Sequence, residues 1–441
     1  MITNRDALVR SPAHDDACRA LAAGIGAAHP GRVIEEAVTL EDDTLRIGDR
    51  TYDLRDYEQI LVLGGGNAAG TAAEALEAVL GDRLDGGLVV TDDPAETDRI
   101  EVVEGTHPLP SETNVEGTER LRDRARGVGA ETLALVVVTG GGSALLAHPT
   151  EGVDLGAYRE LTDALITSGA TIDEINAVRK HLSGIKGGRL AAELAPATTV
   201  GLLFSDVVGN REDVIASGPI TPDETTYTDA HGVIDRYDLD PSEAIENVLE
   251  EGERGERAET PGPDDSVFER VETHILADNQ TALDAAAASL REDGYQAVIL
   301  AADIEGEAQD VGGVNAAIAN RCGSEGEPFE PPVALLSGGE LTVTVEGDGA
   351  GGPNQEFALA AALDLEGGVV AAVDTDGIDG STDVAGAILD PEVIENERDA
   401  LAALDANDVY PYLDELGALV ETGQTGTNVN DLRLLLVGGP E

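Results

Sequence analysis

The chain has 441 residues, room for two or at most three domains with sizeable cores. Its 87 Asp and Glu outnumber 27 Lys and Arg, giving a formal net charge of -60 spread along the whole chain, which argues against nucleic acid and anionic membranes as partners. Cys18 and Cys322 match no ligand spacing, the N-terminus lacks an apolar signal region, and no run approaches the ~18 apolar residues of a membrane span, so we expect neither a disulfide framework nor a zinc site in a soluble, cytoplasmic protein.

Residues 5–40 read as helical, with an end near the His29–Gly31 turn, and a short polar hairpin follows over 44–54. Gln59 to Leu63 is an apolar strand running into Gly64-Gly65-Gly66-Asn67, and a helix spans Ala68 to about Leu80. Further strands fall at Gly87–Thr91, at Leu133–Thr139, which stops at Gly140-Gly141-Gly142-Ser143, and at Val200–Phe204, which stops at Ser205-Asp206. Strands alternating with helices predict a parallel α/β sheet covered on both faces. Residues 238–268 carry Pro, Gly, Glu and Arg without apolar period and read as a linker. We therefore expect two α/β domains, 5–245 and 265–441. The second contains a helix at Thr281–Glu292 and strands at Ala297–Ala301, Val333–Leu336, Leu341–Val345, Gly368–Val373 and Leu432–Val437.

The only lysines, Lys180 and Lys186, share one short stretch with Arg179, Arg189 and His181. Fixed positive charge concentrated in so acidic a chain points to an anion site, for phosphate or carboxylate. Ligands in open α/β sheets bind beyond the carboxyl ends of the strands, where glycines admit phosphate oxygens to the backbone. Gly64–Asn67, Gly140–Ser143, Ser337–Glu340 and Gly423–Asn428 fit that pattern, and Asp206, Asp374, Asp376 and Asp379 are candidate ligands for a cation such as Mg²⁺. Neither lysine follows a glycine, which excludes a Walker A loop, and HExxH and GxSxG are absent. Gly64-x-Gly66-x-x-Ala69 also fits a dinucleotide fingerprint, leaving an NAD(P)H-dependent oxidoreductase as an alternative with His107 and His148 as general-acid candidates.

The stretch SGATIDEINAVRKHLSGIKGGRLA resembles the signature of the glycerate 2-kinase family, which joins an N-terminal DUF4147 domain to a C-terminal MOFRL domain. EGTHPLPSETNVEGT, VVTGGGSALL, FSDVVGNREDVIASGPITPD, SGGELTVTVEGDGAGGPNQE, DTDGIDGSTDVAGA and GQTGTNVNDL follow in the family's order, so the resemblance covers nearly the whole chain. It implies a Rossmann-like N-terminal domain, a smaller α/β C-terminal domain, an active site in the cleft between them, and phosphorylation of D-glycerate by ATP and Mg²⁺. By the same resemblance Lys180 or Lys186 contacts the transferring phosphoryl group, and Arg179 or Arg189 clamps the substrate carboxylate. Asp206 binds Mg²⁺ or accepts the hydroxyl proton. Asn67, Gly140, Gly141, Gly142, Ser143 and Ser205 hold substrate or phosphate, and Asn354, Glu356, Asp374 and Asp376 complete the site, the last two on the metal. Asn67 and Pro353 stand where the family commonly has a lysine and an arginine, and neither carries charge. That departure leaves a catalytically weak phosphometabolite-binding homologue as an alternative, beside the hydroxypyruvate reductase that the Gly64 loop suggests. Few lysines, abundant acid and only 3% aromatics resemble a haloarchaeal-type protein, and a homodimer is the candidate assembly.

Overall fold

The computed structural model describes residues 2–440. The chain divides into two compact units, one of them Val33–Leu276, the other joining the chain up to Arg32 with Ala277 onward. The N-terminal helices therefore belong with the C-terminal half, which differs from the contiguous 5–245 and 265–441 division read from sequence.

In Val33–Leu276 the core is a six-stranded sheet in the order Ile100–Glu104, Gly86–Thr91, Gln59–Gly65, Thr132–Val138, Thr198–Phe204, Val271–Ala277. The first five are parallel. The apolar runs of Gln59–Gly65, Thr132–Val138 and Thr198–Phe204 are buried throughout, as expected for strands covered on both faces. The strand order runs outward in opposite directions from Gln59–Gly65 and Thr132–Val138, so a crevice opens beyond the carboxyl ends of these two. The hairpin expected over 44–54 is present as part of a three-stranded antiparallel sheet, Val38–Glu41, Thr44–Ile47 and Arg50–Asp53.

The helices Leu155–Thr167, Ile172–His181, Tyr227–Arg236 and Glu243–Glu253 close a small core of their own around Tyr158, Leu161, Val178, Tyr227 and Leu249. Glu243–Glu253 falls inside the segment read as a linker. Ser242 caps it, and Ile245, Val248 and Leu249 are buried one helical turn apart, so its apolar stripe outweighs its acidic composition.

The other unit carries a mixed sheet in the order Gln296–Ala301, Val333–Gly339, Asp431–Val437, Val369–Asp374, Gly386–Leu389, Leu419–Val420. Only its first pair is parallel. The expected strand at 341–345 shrinks to Leu341–Thr342, paired with Gly306–Glu307 outside the main sheet. The single helix expected over 5–40 is three helices, Arg5–Leu8, Pro12–Ala27 and Pro30–Ala37. Prolines open the second and third, where a missing N–H costs nothing. Pro12–Ala27 packs against Asn279–Glu292 through Leu21, Ile25, Leu283 and Leu290, which ties the N-terminus to this unit.

Candidate active site

Within Val33–Leu276, three strand ends converge so closely that only glycine fits between them. A Cβ on Gly66, whose φ is +139°, would fall 2.1 Å from Thr139 Oγ1. One on Gly140 would fall 2.6 Å from Asp206 Oδ2, and one on Gly141 1.9 Å from Asn67 Oδ1. The Gly64–Ala69 pattern is thus accounted for by packing against the neighbouring strand end rather than by a dinucleotide. Asn67 N–H donates to the Gly140 carbonyl at 2.8 Å and Ala68 N–H to Thr139 Oγ1 at 3.2 Å, which locks the two loops together. Asn67 Oδ1 is buried without a hydrogen-bond partner.

Lys186 stands behind these loops, fully buried. Its Nζ donates to the carbonyls of Ser143 at 2.8 Å and Leu146 at 3.2 Å, and no carboxylate pairs with it among the described residues. Burial lowers its pKa to about 7, and the nearby Arg179 guanidinium acts in the same direction. Arg179 projects from Ile172–His181, is itself held below its usual range by burial, and makes no ion pair among the described residues. Two cations with no ion pair among the described residues, in a chain of charge -60, make this a candidate anion site. Asp206 lies against Gly140, and burial raises its carboxyl to about 6 against the hydrogen bond from the Gly141 backbone.

Three expected members lie elsewhere. Lys180, 4% exposed, is committed to Asp223 at 3.2 Å, a carboxylate also bound by Thr225 and Thr260. It is a buried structural ion pair and not a free cation. Arg189 lines a groove of about 670 Å³ with Arg122, His148 and Glu193, and its Nε is buried without a hydrogen-bond partner among the described residues. The Ser205 hydroxyl is spent in a turn with the Val207 backbone at 3.3 Å.

Sequence reasoning missed Ser217 and Asn176. Ser143 Oγ lies 2.9 Å from Ser217 Oγ, which donates to Asn176 Oδ1 at 2.8 Å. Serine and asparagine carry no spacing signal. Only their position inside the NAVRK and IASGP stretches of the family resemblance could have singled them out.

The other unit presents the opposite charge. Asp374, at the end of Val369–Asp374, is raised well above the usual carboxylate range by burial and by Asp376, Asp431 and Asp379. Asp376 N–H donates to Asp374 Oδ1 at 3.0 Å, and the Gly423–Asn428 loop braces the turn through Thr425 N–H to the Asp376 carbonyl at 3.0 Å. Asp379 receives the backbone N–H groups of Asn354 (3.0 Å) and Gln355 (2.9 Å) and both their side-chain amides, capping the helix Pro353–Asp364. Burial nonetheless raises it to about 7. Asn354 also donates to Asp431 Oδ1 at 2.6 Å, and Asp431 takes Arg433, fully buried over the Phe357 ring. Pro353 occupies the first helical position, where its missing N–H is no loss but where it offers no cation. Glu356 points away into a buried pair of bonds from Gln309 at 2.9 Å and Asn407 at 3.0 Å, a structural use and not a ligand position. No three His, Cys, Asp or Glu side chains converge in a metal-holding arrangement among the described residues. Nor is any helix among them long and apolar enough to cross a membrane.

Known proteins resemble this chain along most of its length. Residues 16–250 match the family described as a domain of unknown function, DUF4147, and residues 333–431 match the MOFRL family. The chain is 38% identical over 434 residues to a Pyrococcus horikoshii protein named Glycerate 2-kinase, covering 95% of this chain and 96% of that one. It is 39% identical to the D-glycerate 2-kinase of Thermotoga maritima, covering 87% and 91%. The crystal structure of a Thermotoga maritima glycerate kinase superposes with a TM-score of 0.84 at 36% identity, covering 96% of this chain and 99% of that one. With both family regions in place and full-length relatives on either side, the chain belongs to the glycerate 2-kinase family.

Proposed function

We propose that this protein transfers the terminal phosphoryl group of ATP to the 2-hydroxyl of D-glycerate, giving 2-phosphoglycerate. The observation that carries the reading is the near-complete match to proteins named as glycerate 2-kinases. The local chemistry supports it. Phosphoryl transfer asks a protein for positioning and charge neutralisation rather than covalent chemistry. Lys186 is a buried donor with no competing carboxylate, and an arriving phosphate would favour its charged form. Arg179 is the uncommitted guanidinium for the substrate carboxylate. Asp206, raised to about 6, is a base that takes the hydroxyl proton above that pH. The backbone of Asn67 and Gly140–Gly142 holds phosphate oxygens at the crevice.

Asp206 would hold Mg²⁺ in the form that cation usually takes in kinases, with one or two carboxylates and the rest phosphate oxygens and water. Asp206 has no cationic partner among the described residues, and in the other unit burial and the neighbouring Asp376 raise Asp374 well above the usual carboxylate range. When bound, Mg²⁺ would neutralise charge on the phosphate oxygens. Asn67 and Pro353 remove two cations, so Lys186 and Arg179 bear the whole of the protein's positive contribution. The net charge of -60 supports a salt-adapted, haloarchaeal-type enzyme of the cytoplasm.

The test is a product-resolved assay in molar KCl with ATP, Mg²⁺ and D-glycerate, coupled to enolase without phosphoglycerate mutase so that only 2-phosphoglycerate is read. Enolase-competent product is expected. Oxidation of NAD(P)H by hydroxypyruvate without ATP, and no phosphorylated product, would overturn the proposal.

A further inference from the structure

The chain of bonds from Ser143 through Ser217 to Asn176 has a direction. Ser217 and Asn176 are buried and Ser143 is half-buried. A hydroxyl carries one proton, and that of Ser217 goes to Asn176 Oδ1. The 2.9 Å contact between the two hydroxyls is then closed only by the proton of Ser143. Ser143 Oγ is left with lone pairs and nothing to donate.

The backbone holds this arrangement at a cost. Ala216 and Ser217 sit at φ +50° and +60°, followed by Gly218 at +62°, a left-handed turn that side chains disfavour. The carbonyls of Ser217 and Gly218 accept the N–H groups of Gly187 at 3.1 Å and Gly188 at 2.8 Å. Ala216 presses on Gly142, where a Cβ would come within 2.7 Å. The turn thus fixes the Ser143 loop relative to the residues that follow Lys186.

An oxygen that only accepts gains nothing from phosphate or carboxylate oxygens, which also only accept. It gains a bond from an alcohol. We propose that Ser143 Oγ accepts a hydrogen bond from a hydroxyl of the hydroxy-acid substrate, and that Ser217 and Asn176 are positioning residues that hold Ser143 in that state. This gives the Ser143 side chain a part in alcohol recognition, and rests on the kinase reading only for the identity of the hydroxy acid.

Fluorine replaces a hydroxyl at similar size without its proton. Calorimetric binding of D-glycerate is therefore compared with its two analogues fluorinated at carbon 2 or carbon 3, alongside turnover of D-glycerate. One fluoro analogue is expected to bind wild type at least tenfold more weakly than D-glycerate. That penalty should fall below threefold in Ser143→Ala. In Ser217→Ala, where the Ser143 proton is released, it should shrink at least threefold, with KM for D-glycerate raised and KM for ATP unchanged. A merely structural role would not move the fluorine penalty. Wild type binding both analogues within threefold of D-glycerate, or an undiminished penalty in folded Ser143→Ala, would overturn the proposal. Phosphorylation of D-glycerate without the penalty would leave the kinase reading standing, whereas failure to bind D-glycerate would remove both.

Discussion

The two units hold buried charge of opposite sign. At the strand ends of Val33–Leu276, the buried Lys186 has only carbonyls for partners and the half-buried Arg179 has no ion pair among the described residues. In the unit formed largely by Ala277 onward, the half-buried Asp374 and the buried Asp379 lie among other carboxylates, and Asp431 is paired with Arg433. Each arrangement is costly, because burial disfavours the charged form. Elsewhere in the chain the buried charge that could be satisfied has been, as Lys180 with Asp223 shows. The difference teaches that unneutralised charge marks function more reliably than charge itself: the two lysines lie six positions apart and only one is uncommitted.

Removing the base should have the largest effect on catalysis in Val33–Leu276. Asp206→Asn is expected to lower kcat by roughly 10³-fold with the fold retained, read by steady-state kinetics and circular dichroism. Next comes the arginine pair. Arg179→Ala should raise KM for D-glycerate by roughly 10–100-fold, as loss of a charge-assisted pair does, whereas Arg189→Ala should leave it within about twofold. A large effect at Arg189 would place the substrate carboxylate at that guanidinium instead.

The pH dependence sharpens it further. Asp206 must be ionised and Lys186 protonated, so kcat/KM should rise through about pH 6 and fall above about pH 7. Lys186→Arg should remove the alkaline limb, since guanidinium stays charged. The smallest effect belongs to the acidic unit. Asp379 is raised to about 7, so the folded state holds its proton more tightly than the unfolded chain. Its contribution is greatest below about pH 4 and is lost as pH rises through about 7. Asp379→Asn should flatten the change in Tm across that window.

Much of this was legible beforehand, and the gaps have physical causes. The buried runs at 59–65, 132–138 and 198–204 announce a parallel sheet because nothing but full burial tolerates them. The helix Glu243–Glu253 was hidden by its charge, although Ser242, Ile245, Val248 and Leu249 carried the cap and the stripe. That the N-terminal helices pack with the distant helix Asn279–Glu292 leaves no local trace, since Ala and Leu suit any core. At the site, Lys186 stood out by rarity. The neutralisation of Lys180 did not, because its partner lies 43 residues away. Ser217 was invisible for a further reason: its role depends on a left-handed backbone that the residue type does not favour.

The central claim is that Lys186 acts in catalysis and Lys180 in folding, and comparing Lys186→Met with Lys180→Met tests it most directly, each measured for kcat and for unfolding free energy. Lys186→Met is expected to lose roughly 10³-fold in kcat. Its stability should not fall, because the folded pKa of about 7 lies below the unfolded value. Any gain should be largest below pH 7 and shrink as pH rises toward that of a free lysine. Lys180→Met should lose about 3–5 kcal/mol by stranding Asp223, while its folded molecules keep kcat within a few-fold. A Lys186→Met enzyme that retains kcat, or a folded Lys180→Met enzyme that loses it, would contradict the account.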